Sequence, residues 1–226
     1  MIRALIFDFD GVIVNTAPMH RQLWRELFAE YGKLLSDEEI AKGSGRGRRE
    51  FVREILGDIH SEEKIAEIAE EKKRRVKEAI KVTPEPIPGV AQYLEYLKKQ
   101  GYLLAIGSSS FTEKVHGISK SLNITRFFDA VATGDDVPFA KPDPGVFLLA
   151  AEKLGVDPNE CVVFEDAIAG LMASRAAGMR SVFVMSSLSR SDVDPSLYEW
   201  AVSDFHGAEK SLPFSQYQLS PQGTHQ

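Results

Sequence analysis

The second half of the chain alternates amphipathic and short apolar segments, and this alternation constrains the fold more than any other feature of the sequence. Between residues 89 and 185, segments with helical spacing of apolar residues are followed by apolar runs such as YLLAIG and CVVFED. Repeated units of this kind are typical of a parallel sheet with helices on both faces. The run RALIFDFD at residues 3–10 has the composition of a buried parallel strand. We therefore predict an α/β fold with a doubly wound parallel sheet that includes this first strand.

The segment after the first strand is predicted to be all helix. Thr16 can cap one helix, Ser36 with Glu39 forms the capping box of a second, and Ser61 can cap a long charged one. The three prolines of TPEPIP at residues 83–88 then interrupt any continuing helix and mark a linker. An inserted all-helical cap domain is the natural interpretation.

These patterns give domain boundaries. We predict an α/β core made of residues 1–14 and 85–212, with residues 15–84 as the cap. Residues 213–226 contain little charge and few apolar side chains, so this tail is predicted to be disordered.

Composition narrows the classes of function. The single cysteine, Cys161, cannot form an internal disulfide and lies in an apolar run, where a small core residue is expected. No apolar run approaches the roughly 18 residues that span a bilayer, and the N-terminus lacks the pattern of a signal peptide. The formal net charge of -6 disfavours a general nucleic-acid binder. We expect a cytoplasmic monomer or weak homodimer that acts on small molecules, without a membrane or nucleic-acid partner.

Reactive side chains follow several of the predicted strands at the point where each strand ends. In an open parallel sheet, ligands bind beyond the carboxyl ends of the strands, so these side chains are expected to converge. A lysine in the loop AKPDP can reach the same edge. The converging residues are Asp8, Asp10, Ser108, Lys141, Glu165 and Asp166.

Such a cluster of carboxylates would repel itself unless a cation were bound. An all-oxygen site suits a hard divalent ion, and magnesium prefers to share its shell with water and substrate phosphate. A hydroxyl and an ammonium beside the metal complete a clamp for phosphoryl oxygens. The pattern predicts a magnesium site for a small phosphate ester.

Other interpretations are open for the single residues. Asp166 can be an ordinary helix cap, Ser108 to Ser110 can form only a turn, and Lys141 can be a solvated loop charge. A phosphoacceptor receiver domain also combines strand-end acids, a hydroxyl and a lysine, but it needs no helical insert of about 70 residues. A binding protein without catalysis is disfavoured because the whole reactive set is present.

The four motifs resemble those of the haloacid-dehalogenase-like superfamily. They are DFDG at residues 8–11, the serine after YLLAIG, KPDP at residues 141–144, and VFEDAIAG at residues 163–170. The chain resembles in particular the subgroup with a helical cap after the first strand, which holds β-phosphoglucomutase and many sugar and glycolate phosphatases. The resemblance covers residues 1 to about 185 and implies a Rossmann-like core with phosphoryl-transfer activity.

The resemblance also implies roles for the motif residues. Asp8 would be the nucleophile that becomes an aspartyl phosphate, and Asp10 the general acid and base. Ser108 and Lys141 would hold the transferring phosphoryl oxygens. Asp166 would bind magnesium together with Asp8 and the backbone carbonyl of Asp10, with Glu165 beside them.

The cap segment resembles the β-phosphoglucomutase hinge and cap loop in several residues, which are expected to contact substrate. In that group an arginine matching Arg46 binds the distal phosphate of a bisphosphate, and a lysine matching Lys72 couples closure to catalysis. Ser109 and Ser110 continue the phosphate clamp. The hinge pattern is represented by Thr16, Ala17, His20 and Trp24.

Two departures from the mutase pattern favour a phosphatase. Asn15 stands where an acid is usual, and Phe111 and Thr112 follow the serines where the mutase clamp continues differently. We therefore expect a magnesium-dependent phosphatase of a small phosphorylated sugar or metabolite, with a β-phosphoglucomutase-type phosphosugar mutase as the alternative.

Overall fold

The computed structural model describes residues 1–43, 45–57 and 60–212, so the predicted disorder of the tail concerns residues outside this range. Its strands form one parallel sheet in the order β3-β2-β1-β4-β5-β6. The predicted doubly wound α/β fold is confirmed. The strands are β1 (Ala4–Phe7), β2 (Leu103–Gly107), β3 (Ala130–Ala132), β4 (Cys161–Glu165), β5 (Arg180–Val184) and β6 (Trp200–Val202).

Helices cover both faces of this sheet. Alternate side chains of a strand point to opposite faces, so Leu5 and Phe7 join one apolar cluster while Ala4 and Ile6 join another. The first cluster contains α5 (Val90–Lys99) and α6 (Thr112–Ser121), and the second contains α7 (Gly145–Leu154) and α8 (Ile168–Ala176).

The segment between β1 and β2 contains helices with a core of their own. Trp24, Leu27 and Phe28 pack against Phe51 in an apolar cluster distinct from the two on the sheet. The chain leaves and re-enters the sheet at one place, because Val14 pairs with Pro86 in an antiparallel bridge. This arrangement fits the predicted cap, whose exact boundaries remain a prediction. The helices are α1 (Ala17–Ala29), α2 (Asp37–Lys42), α3 (Arg48–Leu56) and α4 (Glu62–Ala79).

Two of the three predicted helix caps are confirmed. Ser36 and Glu39 form a reciprocal capping box at α2, and the Ser61 hydroxyl accepts the Lys64 backbone N–H at α4. The cap predicted at Thr16 is wrong, because Thr16 stands at the N-cap position of α1 without bonding to the helix. Its buried hydroxyl donates to the Asp10 carboxylate instead.

The strand order places a crevice beside β1. After β1 the chain builds β2 and β3 on one side, and it then crosses to build β4, β5 and β6 on the other. Ligands bind at such a switch point, outside the carboxyl ends of the strands. The sequence pattern did not predict β6 or the short helix α9 (Ala208–Ser211), since neither is long enough to show a period. Within the described residues, no helix is both long and apolar enough to cross a bilayer.

The aromatic core of the inserted helices gives a test of packing. Phe28 is fully buried, with its ring 5.2 Å from Trp24 and 5.5 Å from Phe51. Phe28→Ala should lower the free energy of unfolding by about 3–5 kcal/mol, because it leaves a cavity among these rings. Urea unfolding followed by circular dichroism measures the change. Leu34→Ala is the control, since Leu34 is 89% exposed; a loss below about 1 kcal/mol in Phe28→Ala would contradict this packing.

Candidate active site

A buried ion pair lies at the carboxyl end of β1. The Lys141 ammonium is 2.6 Å from Asp8 Oδ1 and 3.7 Å from Glu165 Oε2. Asp8, Glu165 and Asp166 each offer an oxygen, and these oxygens lie within 4.8 Å of one another. The predicted convergence of strand-end groups is therefore present in the geometry.

The local backbone allows this close approach. Gly11 has φ of +79°, and a Cβ added there would lie 2.0 Å from Asp166 Oδ2. A side chain at position 11 would therefore displace the Asp166 carboxylate. The glycine of DFDG is required both for the turn after β1 and for the space that Asp166 occupies.

The cluster contains more carboxylates than positive charges to balance them. Burial raises the pKa of Glu165 well above its usual value, with the charge of Asp8 as the next cause. Burial and the charge of Asp8 likewise raise the pKa of Asp166 to about 7. Both carboxylate oxygens of Glu165 are buried without a hydrogen-bond donor among the described residues. Because one lysine faces three carboxylates, the donor set fits a hard divalent cation with oxygen ligands.

Serines after β5 support Asp166. The Ser187 hydroxyl donates to Asp166 Oδ2 at 2.6 Å, and the Ser186 hydroxyl donates to the Gly11 carbonyl at 2.5 Å. These serines tie the loop after β5 to the loop after β1. Neither serine was among the predicted site residues, although a position just after a strand was the available signal.

Asp10 lies beside this cluster and accepts hydrogen bonds from three segments of the chain. Thr16 donates from the start of α1, Ser110 from the loop after β2 at 2.5 Å, and Lys114 from α6 at 2.5 Å. His20 Nε2 is 3.7 Å from the same carboxylate. These groups hold the Asp10 carboxylate in one orientation.

Two opposing effects act on the pKa of Asp10. Burial in a cleft closed against water raises the pKa of a carboxyl group. Burial does act in that direction, but Lys114 and His20 outweigh it and hold the pKa well below its usual value. Asp10 is therefore ionised in this structure.

His20 lies between two lysines. Its Nδ1 is 3.1 Å from Lys72 Nζ, and its Nε2 is 3.1 Å from Lys114 Nζ. Burial and these two lysines lower the pKa of His20 to about 3, so the ring is neutral and has one donor and one acceptor. A lysine ammonium can only donate, so the ring nitrogen that carries the proton can donate only to a lysine in its neutral form.

Lys72 is the lysine whose charged form its surroundings disfavour. Burial, followed by the charges of Lys114 and Arg48, lowers its pKa well below the usual value, whereas Lys114 pairs with Asp10. Lys72 is fully buried, with its Nζ 4.4 Å from the centre of the Trp24 ring. A hydrogen-bonded chain from Lys72 through His20 and Lys114 thus joins α4 to Asp10.

The remaining predicted site residues border one cavity of about 120 Å³ between the sheet edge and the inserted helices. Ser108 is buried there and accepts the Ser110 backbone N–H at 3.2 Å, while Ser109 donates to the Gly45 carbonyl at 3.2 Å. Arg46 also borders the cavity, but its guanidinium is paired with Glu54. Asp8 and Asp166 line this cavity, and Lys141 and Glu165 lie buried behind them.

Lys114 is the main site residue that the sequence analysis missed. It borders the cavity and is fully buried, with donors directed to Asp10, His20 and Ser110. The available signal was its position in the first turn of the helix that follows the predicted phosphate-binding serines.

Comparison with known proteins identifies relatives that are named as phosphatases. Residues 5–184 match the family model described as haloacid dehalogenase-like hydrolase. The chain is 34% identical over 180 residues to fructose-1-phosphate phosphatase YqaB of Escherichia coli, covering 80% of this chain and 95% of that protein. It is 31% identical over 186 residues to the phosphorylated carbohydrates phosphatase of Thermotoga maritima, covering 80% and 84%.

A solved structure shows the same fold over nearly the whole chain. β-Phosphoglucomutase from Clostridium difficile superposes with a TM-score of 0.80 at 30% identity, covering 91% of this chain and 92% of that one. The resemblance recognised in the sequence is thus confirmed, and with it the class of enzyme. The chain belongs to the haloacid dehalogenase-like hydrolase family.

Proposed function

We propose that this protein is a magnesium-dependent phosphoric monoester hydrolase that acts on a small phosphorylated sugar or metabolite through an aspartyl phosphate. The observation that carries the proposal is the Asp8–Lys141 pair inside a buried carboxylate cluster at the switch point of the sheet. The names of the phosphatase relatives support the substrate class.

Asp8, Glu165 and Asp166 would hold the magnesium ion, with the backbone carbonyl of Asp10 as a further ligand. The bound ion would polarise the phosphoryl group and offset the charge that builds up during its transfer. Ser187 would keep Asp166 oriented towards the ion.

Asp8 attacks the phosphorus atom in the first step. A bond forms between an Asp8 oxygen and phosphorus, and the bond from phosphorus to the ester oxygen breaks. Lys141, which already contacts Asp8, and the Ser108 hydroxyl would hold the phosphoryl oxygens. The departing alkoxide takes its proton from Asp10.

Asp10 then removes a proton from the water that attacks the aspartyl phosphate, which returns Asp8 and releases phosphate. The ionised state of Asp10 in the structure suits this second step. For the first step Asp10 must gain a proton, and the negative charge of a bound phosphate ester favours that gain.

The inserted helices would select the rest of the substrate. Of the residues expected to contact substrate, all but Lys72 border the cavity, namely Thr16, His20, Arg46, Ser109 and Ser110. Thr16 and Lys72 are fully buried and engaged with Asp10 and His20, respectively. We therefore assign these two to positioning instead of direct substrate contact.

A phosphosugar mutase of the β-phosphoglucomutase type is the alternative. The superposed mutase favours it, and so does the contact of the hinge residue His20 with Lys72, which matches a cap lysine of that group. Phe111 argues against it, because its ring is buried against the inserted helices and offers no phosphate ligand. A small-molecule substrate without nucleic acid, a cytoplasmic location and a monomer or weak homodimer stay predictions.

An assay of two products separates the alternatives. Purified protein with magnesium is incubated with β-glucose 1-phosphate and with a panel of sugar and small-acid phosphates. Free phosphate and glucose 6-phosphate are followed in the same samples. We expect free phosphate from some of the panel. Glucose 6-phosphate without free phosphate, especially with a bisphosphate primer, would identify a mutase.

Removal of the nucleophile should abolish turnover. Asp8→Asn should release no phosphate, because an amide cannot form the aspartyl phosphate, and Asp10→Asn should lose nearly all activity. Phosphate release under saturating substrate measures both. Asp157→Asn is the control, since Asp157 is exposed before the amino end of β4. Magnesium-dependent activity retained in Asp8→Asn would exclude covalent catalysis by this residue.

Magnesium affinity should depend on pH. In the metal-free protein the pKa of Asp166 is about 7, and the carboxyl must lose its proton to bind the ion. Affinity should therefore fall as the pH drops below about 7, by up to about tenfold per pH unit for one proton. Calorimetric titration in buffers of different ionisation enthalpy measures both the affinity and the proton release. A constant affinity from about pH 5.5 to 8 would contradict this linkage.

Loss of Lys114 should slow the two proton transfers assigned to Asp10. Lys114→Met removes a charge that lowers the pKa of Asp10, so the acidic limb of the pH–rate profile should move to higher pH. The maximal rate should fall by about 10–100-fold as Asp10 loses its fixed orientation. Lys120→Met on the exposed face of α6 is the matched control. An unchanged rate and profile in Lys114→Met would show that this contact does not serve catalysis.

A further inference from the structure

The cavity is too small to admit a sugar phosphate without a movement of the chain. Its volume is about 120 Å³, and it lies between the sheet edge and the inserted helices. A cavity of about 150 Å³ holds one benzene molecule, and a sugar phosphate has more than twice as many non-hydrogen atoms as benzene. The inserted helices must therefore move away from the core before such a substrate enters, and the contacts between the two parts determine how readily they move.

Phe111 lies at the seam between the core and the inserted helices. It occupies the N-cap position of α6, and its side chain is 2% exposed. Three cations of the inserted helices surround its ring. The Arg48 guanidinium carbon, Lys73 Nζ and Lys77 Nζ lie 5.7, 5.2 and 5.6 Å from the ring centre. At such distances a cation is attracted to the face of an aromatic ring.

Two of these cations also pair with carboxylates of the core. Lys77 pairs with Glu113 on α6, and Lys73 Nζ is 3.8 Å from Asp135 Oδ1 in the loop after β3. The Asp135 carboxylate also accepts the Thr112 backbone N–H at 2.8 Å, which holds it at the start of α6. One ring and two carboxylates thus form a single patch on the core that faces the cations of the inserted helices.

The helix that contributes two of these cations also contributes to the surroundings of Asp10. Lys72 precedes Lys73 on α4 and is 3.1 Å from His20, which in turn is 3.1 Å from Lys114 on α6. A separation of the inserted helices from α6 would break the contact between His20 and Lys114. The seam at Phe111 therefore holds both the cavity wall and the contacts around Asp10.

We propose that the Phe111 ring, with Glu113 and Asp135, is a latch that holds the inserted helices closed over the cavity. Phe111 is also a residue at which the sequence departs from the mutase pattern, so this departure acquires a role in closure. The side chains of Lys77 and Glu113 are 42% and 70% exposed, and ion pairs of this kind are screened by salt. The closed state should therefore weaken as the ionic strength rises.

Acrylamide quenching of tryptophan fluorescence measures how readily the cavity opens. Trp24 borders the cavity and is 7% exposed, and Trp200→Phe removes the only other tryptophan. In this background, Phe111→Leu keeps an apolar side chain at the seam but removes the ring, and Glu113→Gln/Asp135→Asn removes both charges. Each should raise the quenching constant of Trp24 by about threefold or more, because the closed state loses its cation–ring contacts or its ion pairs.

Ionic strength gives a second measure of the same contacts. The Debye length falls from about 30 Å at 0.01 M salt to about 3 Å at 1 M. Over this range the quenching constant should rise when the latch is intact. It should hardly change in Glu113→Gln/Asp135→Asn, which has no ion pair left to screen at this seam. Equal salt dependence in the two proteins would contradict the proposed role of the carboxylates.

A matched control removes two other carboxylates. Glu67 and Glu78 on α4 pair with Lys64 and Lys81, which lie in the same inserted segment. Glu67→Gln/Glu78→Gln should therefore leave the quenching constant unchanged. Thermal unfolding by circular dichroism checks that each variant is folded. An unchanged quenching constant in either latch variant, or an equal rise in the control, would overturn the latch.

A reversible cross-link provides the opposite test. Lys77→Cys/Glu113→Cys protein is joined by a short bifunctional methanethiosulfonate, which dithiothreitol removes. Cys161 does not react, since it is buried and burial raises the pKa of its thiol to about 12. The cross-link should lower the quenching constant of Trp24 and remove its salt dependence. A quenching constant that the cross-link leaves unchanged would overturn the latch.

Turnover of the cross-linked protein tests the latch together with the proposed phosphatase function, on which this last measurement alone rests. Hydrolysis of the panel phosphates should stop when the cross-link is in place and return when dithiothreitol is added. Undiminished hydrolysis with the cross-link in place would overturn the latch. If the reduced protein hydrolyses nothing while the quenching constants change as expected, the latch is supported and the phosphatase proposal alone fails.

Discussion

The contact on which the site depends is the buried ion pair between Lys141 and Asp8. Lys141 lies 2.6 Å from Asp8 and 3.7 Å from Glu165, and it is the cation in contact with this carboxylate cluster. One positive charge cannot balance three buried carboxylates, and the raised pKa values of Glu165 and Asp166 express that imbalance. The cluster therefore requires a further cation to be fully ionised. A phosphate ester binds such a site best when a metal ion and the lysine together neutralise its negative charge.

The second constraint is the position of Asp10 between the sheet and the inserted helices. Its carboxylate is bonded by Thr16, Ser110 and Lys114, which come from three separate segments. Through Lys114 and His20 it is also connected to Lys72 on α4. Thr16, His20 and Lys72 belong to the inserted segment, so a movement of the inserted helices would disturb their contacts around Asp10. A closed arrangement excludes water other than the attacking molecule.

The sequence predicted the features that depend on local pattern and on the tendency of ligands to bind beyond the carboxyl ends of parallel strands. The alternation of segments predicted the sheet, and the capping box at Ser36 was confirmed. The prediction that Thr16 caps a helix was wrong. Its hydroxyl bonds to Asp10 instead, and this contact depends on the turn after β1, which local pattern does not show. Local pattern does not distinguish Lys114 from other helical lysines, because only the packing of α6 brings it against Asp10. In GRGRRE, spacing cannot decide which arginines form ion pairs, because that depends on the partners Glu54 and Glu62.

The central claim is that Asp8 carries the phosphoryl group during turnover. The most direct test mixes the protein with magnesium and a hydrolysed substrate, quenches the reaction in acid within one turnover, and locates the modification by mass spectrometry of peptides. The account predicts one phosphoryl group on Asp8, which appears before free phosphate and is absent from Asp8→Asn protein. Phosphate released in the first turnover without phosphorylated protein, or with the group on another residue, would contradict it.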